Sequence, residues 1–228
     1  MKPPTQWDFS QGEVLLMDKP LRWTSFDVVK KVKHQVKAKV GHAGTLDPLA
    51  TGLLILCTGK MTKQIERFQA QEKEYTGTLV LGKTTPSIDL ETDFDNEQDA
   101  SHVTIAQVEE TMQSQVGEIE QVPPQHSAIK VDGVRAYKKA RKGKTVVLKP
   151  RPVTISLLEI TRADLPIIDF RMVCSKGTYV RSLVRDIGQQ LEVGAYLSQL
   201  CRTRIGDQHL EDAYSLEEFL SLLKETSV

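Results

Sequence analysis

The order of apolar and polar positions along the chain predicts strands and helices that do not alternate regularly. Val14-Leu15-Leu16-Met17 is a short unbroken apolar run closed by Asp18-Lys19-Pro20, the pattern of a buried strand. Thr24-Ser25-Phe26-Asp27 has the spacing of a capping box, in which a hydroxyl and an acid three residues on satisfy each other's backbone N–H groups. The helix it opens is predicted to carry Phe26, Val29, Val32 and Val36 on one face and Lys30, Lys31, Lys33 and Lys37 on the other. A glycine-rich stretch follows, then a strand at 53–56 and a helix with Met61, Ile65 and Phe68. Alternation at 74–81 predicts a strand with Tyr75 on the face of Leu79 and Leu81. Residues 84–101 are polar and acidic and read as a long surface loop. Thr104 caps a helix that aligns Ile105, Val108, Met112 and Val116, and Pro123-Pro124 stops regular structure. The basic stretch 125–149 reads as a protruding arm. Strands are predicted at 153–160, 167–174 and 201–205. Thr178 is placed to cap a helix bearing Val180, Leu183, Val184 and Ile187. Ser215 is placed to cap a last helix with Leu216, Phe219, Leu220 and Leu223. With no repeat and no run of strand–helix units, the expected fold class is α+β.

At 228 residues the chain suits one large domain or two small ones. No apolar run approaches the length of a bilayer span, and the first residues lack a secretory core, so a cytoplasmic protein without membrane contact is expected. Cys57, Cys174 and Cys201 are odd in number and lack metal-ligand spacing, which predicts buried, reduced thiols. The formal net charge of zero conceals a segregation. Five lysines and no acid lie between Lys30 and Lys39, and nine Lys or Arg face the single acid Asp132 between Lys130 and Arg151. Asp89, Glu91, Asp93, Asp95, Glu97 and Asp99 crowd together instead. A polyanion reads the local field rather than the sum, so nucleic acid remains a candidate partner, against the plainer reading of solvated faces.

The stretch from Val40 to Gly52 concentrates the candidate chemistry: Gly41, His42, Gly44, Asp47 and Gly52 lie in thirteen residues that run into Leu53-Leu54-Ile55-Leu56. Pro48 pushes Asp47 away from helical geometry, and the glycines allow tight turns. A loop presenting one carboxylate follows from that, although Asp-Pro beside Gly is also ordinary turn chemistry.

Gly41-His42-Ala43-Gly44-Thr45-Leu46-Asp47-Pro48-Leu49-Ala50-Thr51-Gly52 resembles the signature of the bacterial tRNA pseudouridine synthases of the TruB type, which act on the T-loop uridine. Leu16-Met17-Asp18-Lys19-Pro20, Pro123-Pro124-Gln125-His126-Ser127-Ala128-Ile129-Lys130 and Cys174-Ser175-Lys176-Gly177-Thr178-Tyr179-Val180-Arg181 resemble the same family, in its order. The resemblance implies a mixed, largely antiparallel central sheet flanked by helices and loops. It implies a catalytic domain over 10–228, with an RNA-clamping insertion at 123–152. Residues 206–228 are expected to form a short C-terminal helix where many members carry a further RNA-binding domain.

The implied reaction cleaves the glycosidic bond of an everted uridine, turns the uracil and joins its C5 to the ribose. It is an isomerisation without redox change, so no metal or other cofactor is expected. What it needs is a carboxylate beside the sugar, the physics that glycosidases use. Asp47 is the expected catalytic group, as nucleophile on the sugar or as base on its 2′ position. A guanidinium would keep it ionised and oriented, and the family match for that is Arg181. Tyr179 matches a tyrosine beside the uracil that helps remove the C5 proton. Tyr75 matches the tyrosine that stacks on the flipped base, though a strand tyrosine packing on Leu79 and Leu81 reads equally well. His42 matches a histidine that fills the vacated stack, its alternative being to satisfy loop backbone groups. Lys19 and Asp89 fall at pocket-lining positions. Ser127, Lys130, Arg135, Lys138, Lys139 and Arg141 belong to the basic arm, which resembles the family's clamp on the tRNA T-arm. The expected partner is therefore the T-stem-loop of tRNA, bound by a monomer with no obligatory protein partner. Two alternatives share these motifs: a guide-RNA-dependent pseudouridine synthase subunit, and a non-catalytic RNA-binding or tRNA-folding module.

Overall fold

In a computed structural model of the chain, the residues described are 4–127, 129–131, 133–140, 142–143 and 145–225. In chain order the elements are β1 (Val14–Lys19), α1 (Ser25–Val36), β2 (Val40–His42), β3 (Ala50–Thr58), α2 (Ile65–Ala70), β4 (Lys73–Leu81), β5 (Lys83–Thr84) and β6 (Asn96–Glu97). There follow α3 (Ile105–Ser114), β7 (Gly117–Gln121), β8 (Lys130–Val131), β9 (Val134–Arg135), α4 (Ala136–Ala140), β10 (Arg151–Asp164) and β11 (Ile167–Cys174). The chain ends with α5 (Val180–Gln190), β12 (Ala195–Ile205), β13 (Gln208–His209) and α6 (Leu216–Glu225). The class is α+β, with mixed but largely antiparallel pairing, as the sequence led us to expect. The chain divides into two compact units, residues 1–75 with 200–228, and residues 76–199.

In the first unit β1 and β3 pair antiparallel with Leu16 opposite Ile55 and Lys19 opposite Gly52. Both faces of this pair are covered, which is why its strands read as continuous apolar runs rather than alternating ones. Leu15, Met17, Leu54 and Leu56 pack with Val28, Val29 and Val32 of α1 and Phe219 of α6. Leu16, Leu53, Ile55 and Cys57 face the other way, towards Ala43 and Ile205. The end of β12 runs parallel to the start of β3, with Arg202 beside Gly52. Gly52 has φ +97°, and a Cβ there would stand 2.4 Å from the Arg202 carbonyl oxygen, so only glycine fits the approach.

The second unit is built on β10 and β11, a hairpin with Ile160 opposite Phe170, and on β7, which pairs with β10 so that Gln121 faces Arg151. α5 buries Val180, Leu183, Val184 and Ile187, and α3 buries Val108 and Met112. The Gln125 amide holds the two ends of the basic stretch together, donating to the Val146 carbonyl (2.8 Å) and accepting from its N–H (2.9 Å).

Several expectations shift. The capping boxes at Thr24 and Thr104 are present, and the Ser215 hydroxyl accepts from Glu218 N–H (3.2 Å). Phe26, however, is 68% exposed, and the buried stripe of α1 is Ser25, Val28, Val29 and Val32. Ile105 is exposed and Val116 lies beyond α3. The helix expected around Met61 splits into a 3-10 turn (Gly59–Gln64) and α2. Thr178 does not cap α5: its hydroxyl donates to the Ser175 carbonyl (3.0 Å), and Tyr179 occupies the cap position without a side-chain bond. The strand expected at 201–205 begins at Ala195, and the segment taken for a surface loop starts with buried Thr85, Ser87, Ile88 and Asp89. Cys57 and Cys174 are buried, and Cys201 is partly so; all three are free thiols.

Candidate active site

Asp47 lies in the turn between β2 and β3, half-buried, with Ala50 N–H donating to its carbonyl (3.1 Å). Three side chains fasten the turn. The Ser25 hydroxyl, at the first residue of α1, accepts from Leu46 N–H (2.9 Å) and donates to the Leu46 carbonyl (3.2 Å). The fully buried Lys19 ammonium donates to the carbonyls of Trp23 (2.6 Å), Pro20 (3.0 Å) and Pro48 (3.4 Å). Arg202, 1% exposed, donates from Nε to the Leu53 carbonyl (2.8 Å) and from Nη2 to that of Gly44 (3.1 Å), bracketing the turn from both ends.

The electrostatics of this cluster are set by burial. Loss of water pushes the Lys19 ammonium down to about 8, while the Asp47 and Asp18 carboxylates pull it back up. The same desolvation lowers His42, opposed by a hydrogen bond with the Gly44 backbone and reinforced by the Arg202 charge. His42 is therefore a neutral imidazole at neutral pH. Tyr75 is 8% exposed on the inward face of β4, as the alternation requires.

In the second unit Arg181 is 3% exposed near the start of α5. Its guanidinium donates to the carbonyls of Ser87 (2.9 Å) and His126 (2.9 Å), and Nε lies 3.7 Å from Asp89 Oδ2. Asp89 is 4% exposed and accepts from Glu91 N–H (3.0 Å), which sets it apart from the exposed Asp93, Asp95, Glu97 and Asp99. Tyr179 is half-buried, its N–H donating to Gln121 Oε1 (2.8 Å) and its ring lying 4.9 Å from the Arg151 Cζ. Ser127 is buried, and its carbonyl accepts from Tyr137 N–H (3.0 Å). Lys130 and Arg135 pair through their backbones in β8 and β9, Lys138 is exposed on α4, and Lys139 is half-buried there. Arg141 lies outside the described residues.

The structure thus gathers Lys19, His42 and Asp47 in the first unit, and Asp89 with Arg181 in the second. Reasoning from sequence missed Arg202, Gln121 and Arg151. Arg202 had one available sign, a permanent cation placed between the apolar Leu200 and Ile205 of a strand.

What the first turn offers chemically is a carboxylate on a backbone held by side-chain hydrogen bonds, within electrostatic reach of the buried Lys19 cation. No described helix is long and apolar enough to cross a membrane. A family model described as "TruB family pseudouridylate synthase (N terminal domain)" matches residues 30–180, and one described as "tRNA pseudouridylate synthase B C-terminal domain" matches residues 181–227. The tRNA pseudouridine synthase B of Phocaeicola vulgatus is 53% identical over 97% of this chain and 97% of its own length. That of Bacteroides fragilis is 51% identical over 97% and 98%, and that of Flavobacterium johnsoniae 50% over 94% and 97%. Among solved structures, an H/ACA RNP bound to a substrate RNA containing 2'-deoxyuridine superposes with a TM-score of 0.72 at 26% identity. The match covers 99% of this chain and 60% of that one. An archaeal box H/ACA sRNP complex gives 0.71 at 25%, again over 60% of its chain. Matched by family models from residue 30 to residue 227, the chain belongs to the TruB family of pseudouridylate synthases.

Proposed function

We propose that this chain is a tRNA pseudouridine synthase that everts the T-loop uridine and isomerises it in place, acting as a monomer in the cytoplasm. The observation that carries the reading is the clamped turn: Ser25, Lys19 and Arg202 hold the backbone around Asp47 by hydrogen bonds to carbonyls and an amide. A carboxylate fixed to a fraction of an ångström is what attack at an anomeric carbon, or proton removal beside it, requires. In this reading Asp47 does the covalent or basic step, Arg181 supplies the positive charge that serves it, and Tyr179 assists at C5. Tyr75 stacks on the everted base and His42 braces the place it left. The span 10–228 is one catalytic domain with its RNA-clamping insertion at 123–152, and Ser127, Lys130, Lys138, Lys139 and Arg141 meet the T-stem-loop.

The test is incubation of unmodified tRNA with the purified chain and with Asp47→Asn, mapping pseudouridine by position. The substitution keeps shape and removes charge. Conversion confined to the T-loop is expected from the wild type, with a loss of about 1,000-fold or more in the variant at unchanged tRNA affinity. Normal turnover by Asp47→Asn would refute the assignment. The likeness to the H/ACA complexes raises the reading of a guide-RNA-dependent subunit. Modification of a T-stem-loop by the chain alone rules that reading out.

A further inference from the structure

Next to Tyr179 lies a cluster of hydrogen-bond donors that the roles above leave unused. β7 and β10 pair with Gln121 directly opposite Arg151, so the two side chains leave the sheet on one face. Gln121 is 1% exposed, and its Oε1 is committed to Tyr179 N–H at 2.8 Å. That bond fixes the amide plane and leaves Nε2 buried without an acceptor among the described residues. Arg151 lies over the Tyr179 ring, Cζ 4.9 Å from its centroid, and its Nε and Nη2 are buried and lack acceptors as well. Folded proteins pair nearly all buried donors, and a guanidinium cannot shed its charge to escape the cost. Three unfilled donor nitrogens with one fixed positive charge and no acceptor among them match a ligand with two or more oxygens and one negative charge. The planar fork of the guanidinium presents two of them, Nε and Nη2, side by side.

We propose that Arg151 and Gln121 form a phosphate subsite, donating to the non-bridging oxygens of one phosphodiester of the substrate RNA beside Tyr179. A uracil carbonyl is the poorer occupant, since it accepts without neutralising the charge. The inference rests on the reading of the substrate as RNA, and its test is built on binding so that the two stand or fall separately.

A T-stem-loop RNA carrying a single methylphosphonate, which removes the charge of one phosphate, is scanned through the loop against wild type and Arg151→Met. Wild type is expected to lose about tenfold in affinity at one position. Arg151→Met is expected to lose about as much on the native RNA, and to show no further loss from the methylphosphonate at that position. The salt slope of the variant falls by about one charge. Native-like affinity of a folded Arg151→Met, or equal sensitivity of both proteins at every position, overturns the subsite. Neither result touches the proposed function so long as pseudouridine still forms. If the methionine variant fails to fold, Arg151→Lys runs the same cycle. Keeping the charge without the fork, it should recover part of the affinity and part of the sensitivity, and sensitivity equal to wild type overturns the proposal.

Discussion

Arg202 brackets the Asp47 turn from both ends, and its removal has a calculable cost. The side chain is buried and donates charge-assisted bonds to the Leu53 carbonyl at 2.8 Å and the Gly44 carbonyl at 3.1 Å. Each such bond contributes about 1.5–3 kcal/mol, and methionine would fill the space while leaving both carbonyls short of a donor. Arg202→Met is therefore expected to destabilise the chain by about 3–5 kcal/mol. A domain of this size loses roughly 2–4 °C of Tm per kcal/mol, so a fall of about 10 °C is expected by thermal melting. The catalytic consequence is separate. With Gly44 released, the turn regains freedom, and a displacement of about 1 Å at a reacting group costs about 100-fold in rate. Single-turnover kinetics on tRNA should show that loss in the rate of isomerisation, with affinity within about threefold of wild type. Arg202→Lys reaches one carbonyl and should recover part of both losses. A variant that melts ten degrees lower but isomerises at the wild-type rate would show that Arg202 supports the fold alone, and the positioning argument would fail.

Two further outcomes follow from charge. Burial holds Lys19 near 8 in the folded chain against 10.5 unfolded, so between those values the unfolded chain binds more protons and the folded state gains stability as pH rises. Urea melts of wild type and Lys19→Met should therefore diverge in favour of wild type by about 2–3 kcal/mol from pH 7 to pH 10, and a constant difference would show the ammonium is not desolvated. On the arm, Lys138→Ala with Lys139→Ala should lower the slope of log affinity for tRNA against log salt by about 2; an unchanged slope removes α4 from the interface.

The parts of this structure legible in the sequence are those whose causes are local. The boxes at Thr24 and Thr104 need only a hydroxyl and a partner three residues on, and the Asp47 turn needs only glycines and a proline around one acid. The partner of Arg202 was not legible because the carbonyl it serves, that of Leu53, lies 149 residues earlier, and the parallel pairing of β12 with β3 brings them together. Gln121 and Arg151 acquire their meaning in the same way, from the register of β7 against β10.

The misread positions have a common physical origin in the site itself. A helical stripe through Phe26, Val29, Val32 and Val36 is more apolar than one through Ser25, Val28, Val29 and Val32, so hydrophobicity alone selects the wrong face. The winning face is the one that turns the Ser25 hydroxyl to both backbone groups of Leu46, next to Asp47, and Phe26 is left in solvent as a result. The polar start of the supposed loop at 84–101 is buried for a parallel reason: a guanidinium at position 181 takes the Ser87 carbonyl and stands beside Asp89. In both places a rule of local pattern gives way where a polar group is holding backbone in position, and that is where a sequence is expected to sacrifice burial for geometry. The exposure of Phe26 is thus a physical trace of the anchoring of the Asp47 turn, read at one remove.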